Sequence, residues 1–230
     1  MIELYSWVTP NGYKVSILLE ELGLDYSAHA VDIQAGEQFE PAFLRISPNN
    51  RIPAIVDTDG PGNKPISVFE SGAILLYLAE KTGRYWPSDP RQRTAMLEWL
   101  MFQMGNVGPM FGQVGHFTQY AREASEYATN RYIHEMQRLM GVMDRRLGEV
   151  AYLAGEYGLA DMATFPWLRS ARRFGADFSE YPQLGRWYDA IRARPAVDRG
   201  LRALSEYKNP APLSDAAREQ LFGDAQYRRR

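Results

Sequence analysis

Three short segments carry side chains whose types and spacing suit chemistry. Val8-Thr9-Pro10-Asn11-Gly12 places a hydroxyl and a carboxamide where a helix is expected to begin, and the unpaired N–H groups of a helix N-terminus favour a bound anion or thiolate. Phe69-Glu70-Ser71-Gly72 sets a carboxylate and a hydroxyl at another such start. That pattern suits an α-amino acid, with Glu70 for its ammonium and Ser71 and the neighbouring N–H groups for its carboxylate. Between them, Ile52-Pro53 opens a strand directly after Asn49-Asn50. A proline is costly in a paired strand but useful if a cis peptide turns the preceding backbone toward a peptide ligand. Each segment also has a plainer reading, because Thr9, Asn11 and Ser71 are good helix caps.

Composition narrows the chemistry further. The 230 residues include no cysteine, so there is no thiolate nucleophile, no disulfide and no Cys-ligated zinc; any thiol must arrive with a ligand. His29, His116 and His134 lack the i, i+4 spacing of a metal pair, and no metal is assigned. With 26 Lys+Arg against 28 Asp+Glu, the net charge of −2 offers no general attraction to a phosphate backbone, which argues against a nucleic-acid partner. The N-terminus has no signal-like run, and the longest apolar stretch, around residues 73–79, is far short of the ~20 residues of a membrane span. A cytoplasmic protein is expected.

These groups need elements to hold them. Ile2-Glu3-Leu4-Tyr5 reads as a strand, and Val15, Leu18, Leu19 and Leu22 recur at i, i+3, i+4, i+7, one face of a helix that Gly23 closes. Residues 26–33 read as a strand, and Phe39, Phe43, Leu44 and Ile46 as a helix ended by Ser47-Pro48-Asn49-Asn50. Residues 52–57 and 65–69 form a hairpin about a turn at 59–63, and 71–82 a helix stopped by Gly83. The order β-α-β-α-β-β-α fills a domain over residues 1–86. Beyond it the strand signals stop, and 91–103, 124–146, 160–173 and 182–194 have helical patterns, with Asn106-Val107-Gly108-Pro109 as a break after the first. Residues 91–206 are expected as an all-α domain whose core includes Phe165, Trp167, Trp187 and Tyr188. Residues 207–230, with Lys208-Asn209-Pro210-Ala211-Pro212 and the solvated triplet Arg228-Arg229-Arg230, are expected as a mobile tail.

Together, the element order, Thr9-Pro10-Asn11-Gly12, Arg51-Ile52-Pro53-Ala54, Glu70-Ser71 and the switch to helices after residue 86 resemble a cytosolic glutathione transferase over roughly residues 1–205. Gln38-Phe39 and the runs 43–57 and 69–83 are similar to the bacterial Nu class, which is associated with glutathione-dependent disulfide reduction. The resemblance implies an α/β thioredoxin-like N-terminal domain that binds glutathione as cosubstrate. An all-α C-terminal domain would follow, supplying much of the pocket for a disulfide or an electrophile, within a homodimer. Carried over by position, Thr9 and Asn11 face the glutathione sulfur as the catalytic pair. Gln38 and Arg51 flank the glycyl end, Ile52 pairs through its backbone with the cysteinyl part, and Glu70 and Ser71 hold the γ-glutamyl end.

Arg131 matches a helical-domain arginine that the class uses near the ligand, and Pro53 and Asp161 match structural positions. Gly158-Leu159-Ala160-Asp161 departs from the pattern, since the superfamily has Ser or Thr three residues before Asp. Glycine still caps, at a cost of about a few tenths of a kcal/mol. Three activities stay open: disulfide reduction, conjugation of glutathione to apolar electrophiles in a pocket around Met101, Phe102, Met110, Phe111 and Phe117, and non-catalytic glutathione binding as an interaction module.

Overall fold

The computed structural model describes residues 1–207 and 213–228. Strand β1 (Ile2–Ser6) buries alternate residues, as a period of two requires. Helix α1 (Pro10–Leu22) starts where Thr9 accepts a hydrogen bond from the Gly12 N–H at 3.3 Å and proline occupies the first turn. It ends at Gly23, whose φ of 65° is the left-handed conformation of a helix stop. Strand β2 (Tyr26–Ala30) runs parallel to β1. A 3₁₀ turn at Glu37–Phe39 and the single-turn helix α2 (Pro41–Leu44) stand where the spacing predicts one longer helix. Glu40, extended at φ −63° and ψ 138°, and Pro41, which has no N–H to donate, divide it. Strands β3 (Ala54–Gly60) and β4 (Lys64–Phe69) pair antiparallel, and helix α3 (Ser71–Thr82) follows.

The rest is helical: α4 (Pro90–Phe102), α5 (Gly108–Gly115), α6 (Glu126–Glu149), α7 (Leu159–Arg173), α8 (Pro182–Arg192), α9 (Pro195–Arg202) and α10 (Asp215–Phe222). The break expected at Asn106–Pro109 is not one. A π-helical turn over Gln103–Val107 carries the chain into α5 with Pro109 in its first turn. Proline lacks the N–H that would bond the carbonyl four residues back, and a widened turn absorbs that loss.

Two compact units result, residues 1–74 with 199 onward, and residues 75–198. In the second, α6 packs on α5 and α8 and α4 on α7, around buried Leu100, Phe111, Met140, Met143, Phe165 and Trp187. Trp167, expected in that core, is half-buried against Gly108 and Gly112. Asp161, fully buried near the start of α7, accepts from the N–H groups of Gly158 and Leu153, each at 3.0 Å, and from the Trp187 indole at 2.7 Å.

The segment expected as a mobile tail contains structure. Ser214 caps α10 by accepting from the Ala217 N–H at 3.1 Å, a 3₁₀ turn follows at Asp224–Tyr227, and Ala217 and Ala225 are buried. The linker residues 208–212 and the last two arginines of the terminal triplet lie outside the described residues.

In the first unit the sheet order is β2-β1-β3-β4. Tyr5 pairs with Ala54 and Ala54 with Phe69, so the C-terminal ends of β1 and β4 and the start of β3 meet at one end of the sheet. That end is where α1 and α3 begin. Helix α1 is pinned from its flank: Ser16 donates to the Gly200 carbonyl at 2.7 Å, Arg199 bonds Glu20 at 2.6 Å, and a Cβ on Gly200 would lie 2.6 Å from Ile17 Cα.

Candidate functional site

At the start of α1 the Thr9 hydroxyl accepts from Gly12, which leaves its own proton to donate. Asn11, half-buried, lies within the first turn. Gly12 allows the close approach that shapes this turn, because a Cβ there would press on the Trp7 carbonyl and the Ser6 hydroxyl. Gly12→Ala is therefore expected to cost about 1–3 kcal/mol, the usual scale of overpacking, and to displace the Thr9 loop. Thermal unfolding together with a glutathione titration checks this, and wild-type values in both contradict it.

The peptide joining Ile52 to Pro53 is cis, and Pro53 is buried. The β-ladder begins only at Ala54, so the Ile52 backbone lies outside it. Ser47 holds this loop by donating to the Arg51 carbonyl at 2.7 Å, and the Ile52 side chain packs on Val31, Phe43 and Ala54.

Glu70 has φ +69°, unusual for a residue with a Cβ, and its carboxylate accepts from the Asn49 amide at 3.2 Å. Ser71, 5% exposed, opens α3. Its Oγ accepts from Lys14 Nζ at 3.3 Å, tying the starts of α1 and α3 together. Lys14 is only 1% exposed; burial lowers its pKa to about 7, against the opposing pull of the Glu70 carboxylate. Sequence reasoning passed over Lys14. The signal was its place four residues before Leu18 and three before Ile17, on the face that α1 buries.

Thr9, Asn11, Ile52, Pro53, Glu70 and Ser71 thus gather at one end of the sheet. Gln38 is buried, its Nε2 donating to the Ile33 carbonyl at 3.2 Å and its Oε1 buried without a partner. Arg51 is exposed, donating to the Asn50 carbonyl at 3.2 Å and facing the Tyr227 phenol, while the Gln220 side chain of α10 packs on Gly36. Arg131 is exposed on α6 of the second unit, lining an open cavity of about 880 Å³ with Met110, Tyr127, Glu135 and Arg138.

The apolar set expected around an electrophile pocket is split: Phe111 is fully buried in a helical core, Met101 is half exposed at 49%, and Phe117 stacks on Tyr132. Such side chains recur at helical spacing whether they face a core or a ligand, so periodicity did not separate them. His29 pairs with Glu3 at 2.5 Å and stacks on Tyr5. Among the described residues no three His, Asp or Glu side chains group as metal ligands, and no helix is long and apolar enough to cross a membrane.

A β2-β1-β3-β4 sheet with a cis-proline at the mouth of β3 and Thr9-Pro10 at the start of α1 defines a class: a thioredoxin-like domain without a thiol of its own, followed by helices. The chain belongs to the glutathione S-transferase family, whose N-terminal domain matches residues 1–80 and whose C-terminal domain matches residues 107–195. It is 49% identical over 203 residues to the Escherichia coli protein named disulfide-bond oxidoreductase YfcG, covering 87% of this chain and 94% of that one. A solved glutathione transferase from Pseudomonas putida, with one glutathione disulfide bound per subunit, is 48% identical with a TM-score of 0.84, over 87% of this chain and 90% of that one. Another from Pseudomonas fluorescens, with two glutathione bound, is 48% identical with a TM-score of 0.83, over 87% and 92%.

Proposed function

We propose that this protein is a glutathione-dependent disulfide reductase that works on a borrowed nucleophile. The observation that carries the reading is the Thr9 hydroxyl at the N-terminus of α1, with a proton to donate, in a chain without cysteine. The names and bound ligands of the relatives point the same way. Thr9 and Asn11 donate to the glutathione sulfur, and the helix N-terminus lowers its pKa from a free value near ~8.5. The Ile52 backbone takes the cysteinyl part, Glu70 the γ-glutamyl ammonium and Ser71 its carboxylate; Gln38 and Arg51 serve the glycyl end and Arg131 the ligand from the helical domain. The working form is a cytoplasmic homodimer.

The chemistry closes without a protein thiol. A first thiolate attacks the substrate disulfide, forming a mixed disulfide and expelling one substrate thiolate. A second glutathione thiolate attacks that mixed disulfide at the glutathione sulfur, giving glutathione disulfide and the other substrate thiolate. The two protons lost by the glutathione thiols end on the two product thiols.

The test is the glutathione-dependent reduction of a small model disulfide, coupled to glutathione reductase. A clear acceleration over the enzyme-free rate is expected, and its absence overturns the reading. Thr9→Ala is expected to lower kcat about tenfold, the worth of one hydrogen bond to a charged sulfur, with Thr9→Ser near wild type. Full turnover in Thr9→Ala removes Thr9 from the reaction.

A further inference from the structure

Lys14 is a lysine that the fold has taken out of water. It is 1% exposed on the inward face of α1, among Val15, Ile17 and Leu18, none of which is measurably exposed. Burying an amine that carries charge is unfavourable unless something nearby uses it, and an apolar side chain would pack the same space at no such cost. The start of α3 stands beside the amine. Nζ donates to Ser71 Oγ at 3.3 Å, and the carboxylate of Glu70, the residue before Ser71, acts on its charge.

This contact has a directional consequence. When Ser71 Oγ accepts from Lys14, the hydroxyl proton must point elsewhere, and a hydroxyl so polarised is a stronger donor. At the N-terminus of α3 it joins backbone N–H groups that favour an anion. A carboxylate arriving there meets the Ser71 proton in front and a cation behind it, where low dielectric lets the charge act across the hydroxyl.

We propose that Lys14 is a positioning residue for the γ-glutamyl α-carboxylate of glutathione, acting through Ser71, and that its charge and the bound carboxylate stabilise one another. The inference rests on the reading of the site as a glutathione site. It has a signature that a packing role lacks. With its pKa near 7, the amine is mostly neutral in the free protein at pH 8, and a carboxylate beside Ser71 favours its protonation, so binding takes up a proton.

S-methylglutathione is the probe, because it has no thiol proton to release. Calorimetric titration at pH 8 in buffers of different ionisation enthalpy counts the protons exchanged. Wild type is expected to take up a substantial fraction of a proton, and Lys14→Met to take up none and bind about tenfold more weakly, the worth of a charge-assisted hydrogen bond. The S-methyl form of 4-aminobutyryl-cysteinyl-glycine lacks only the α-carboxylate. Its binding should show no such uptake and be nearly indifferent to Lys14→Met; the amine common to both ligands cancels in the comparison.

Equal uptake in wild type and Lys14→Met, or equal losses of affinity for the two ligands, overturns the proposal in favour of a packing role. If Lys14→Met does not fold, the wild-type comparison of the two ligands decides alone, and equal uptake overturns the proposal. A wild type that binds neither ligand defeats the glutathione-site reading itself, a result distinct from binding that ignores Lys14.

Discussion

Asp161→Ala is expected to unfold about 8–16 °C below wild type, from a loss of about 4 kcal/mol in a chain of this size. The carboxylate is fully buried and accepts from Gly158, Leu153 and Trp187. Alanine leaves three donors without their acceptor, two of them buried, and a small void beside Trp187, and these costs accumulate. Glycine at position 158 has no side chain to cap α7, so the reach-back bond from Asp161 is the side-chain half of the capping box that remains. Thermal unfolding followed by circular dichroism checks it, and a shift under about 3 °C removes Asp161 from the framework.

The same carboxyl sets a pH signature. Burial raises its pKa from 3.8 to about 6, against the lowering influence of its hydrogen bonds. The folded state holds the proton more tightly than the unfolded chain does, so this contribution to stability is full below about 3.8 and is lost as pH rises through about 6. Relative to Asp161→Asn, wild-type stability should fall across that window and run parallel above pH 7; parallel curves throughout contradict the assignment.

Glu70→Gly is expected to separate stability from binding. Glu70 holds φ +69°, a conformation that costs a residue with a Cβ about 1–2 kcal/mol and glycine almost nothing. The substitution relieves that cost, while glycine's freer unfolded chain returns part of the gain, so the unfolding midpoint should stay level or rise by a few degrees, roughly 2–4 °C at most. Glutathione affinity should fall about 30-fold, as ~2 kcal/mol of charge-assisted bonding to the ligand ammonium disappears. Titration calorimetry and thermal unfolding on one sample test both halves. Wild-type affinity, or a midpoint lowered by several degrees, contradicts the account.

Much of the first unit was legible because its signals are local. Thr9 and Gly23 bracket α1, Ser71 and Gly83 bracket α3, and turn residues mark the β3–β4 hairpin. The gathering of Thr9, Ile52 and Glu70 at one sheet end was legible only through resemblance, since strand register is long-range. What escaped was set by tertiary context. Pro109 sits inside a continuous helical path because a π turn precedes it, and no residue pattern announces that turn. Residues 213–228 looked like tail because their composition is polar, yet Ser214 caps a helix whose Ala217 is buried, and Ala225 in the turn that follows is buried too. Lys14 was hidden by its type, since a lysine on an apolar face reads as an exception.

The hydroxyl that caps α1 stands in a chain without cysteine, and this changes how the protein ages. A resident catalytic thiolate driven to the sulfinic or sulfonic state is lost to its enzyme, and the polypeptide is lost with it. With Thr9 there instead, an over-oxidised nucleophile is a small molecule that diffuses out and is replaced from the cellular pool. Peroxide that over-oxidises the nucleophile then spoils one molecule of reagent and no catalytic side chain, so the thiol that wears is the one exchanged at every turnover.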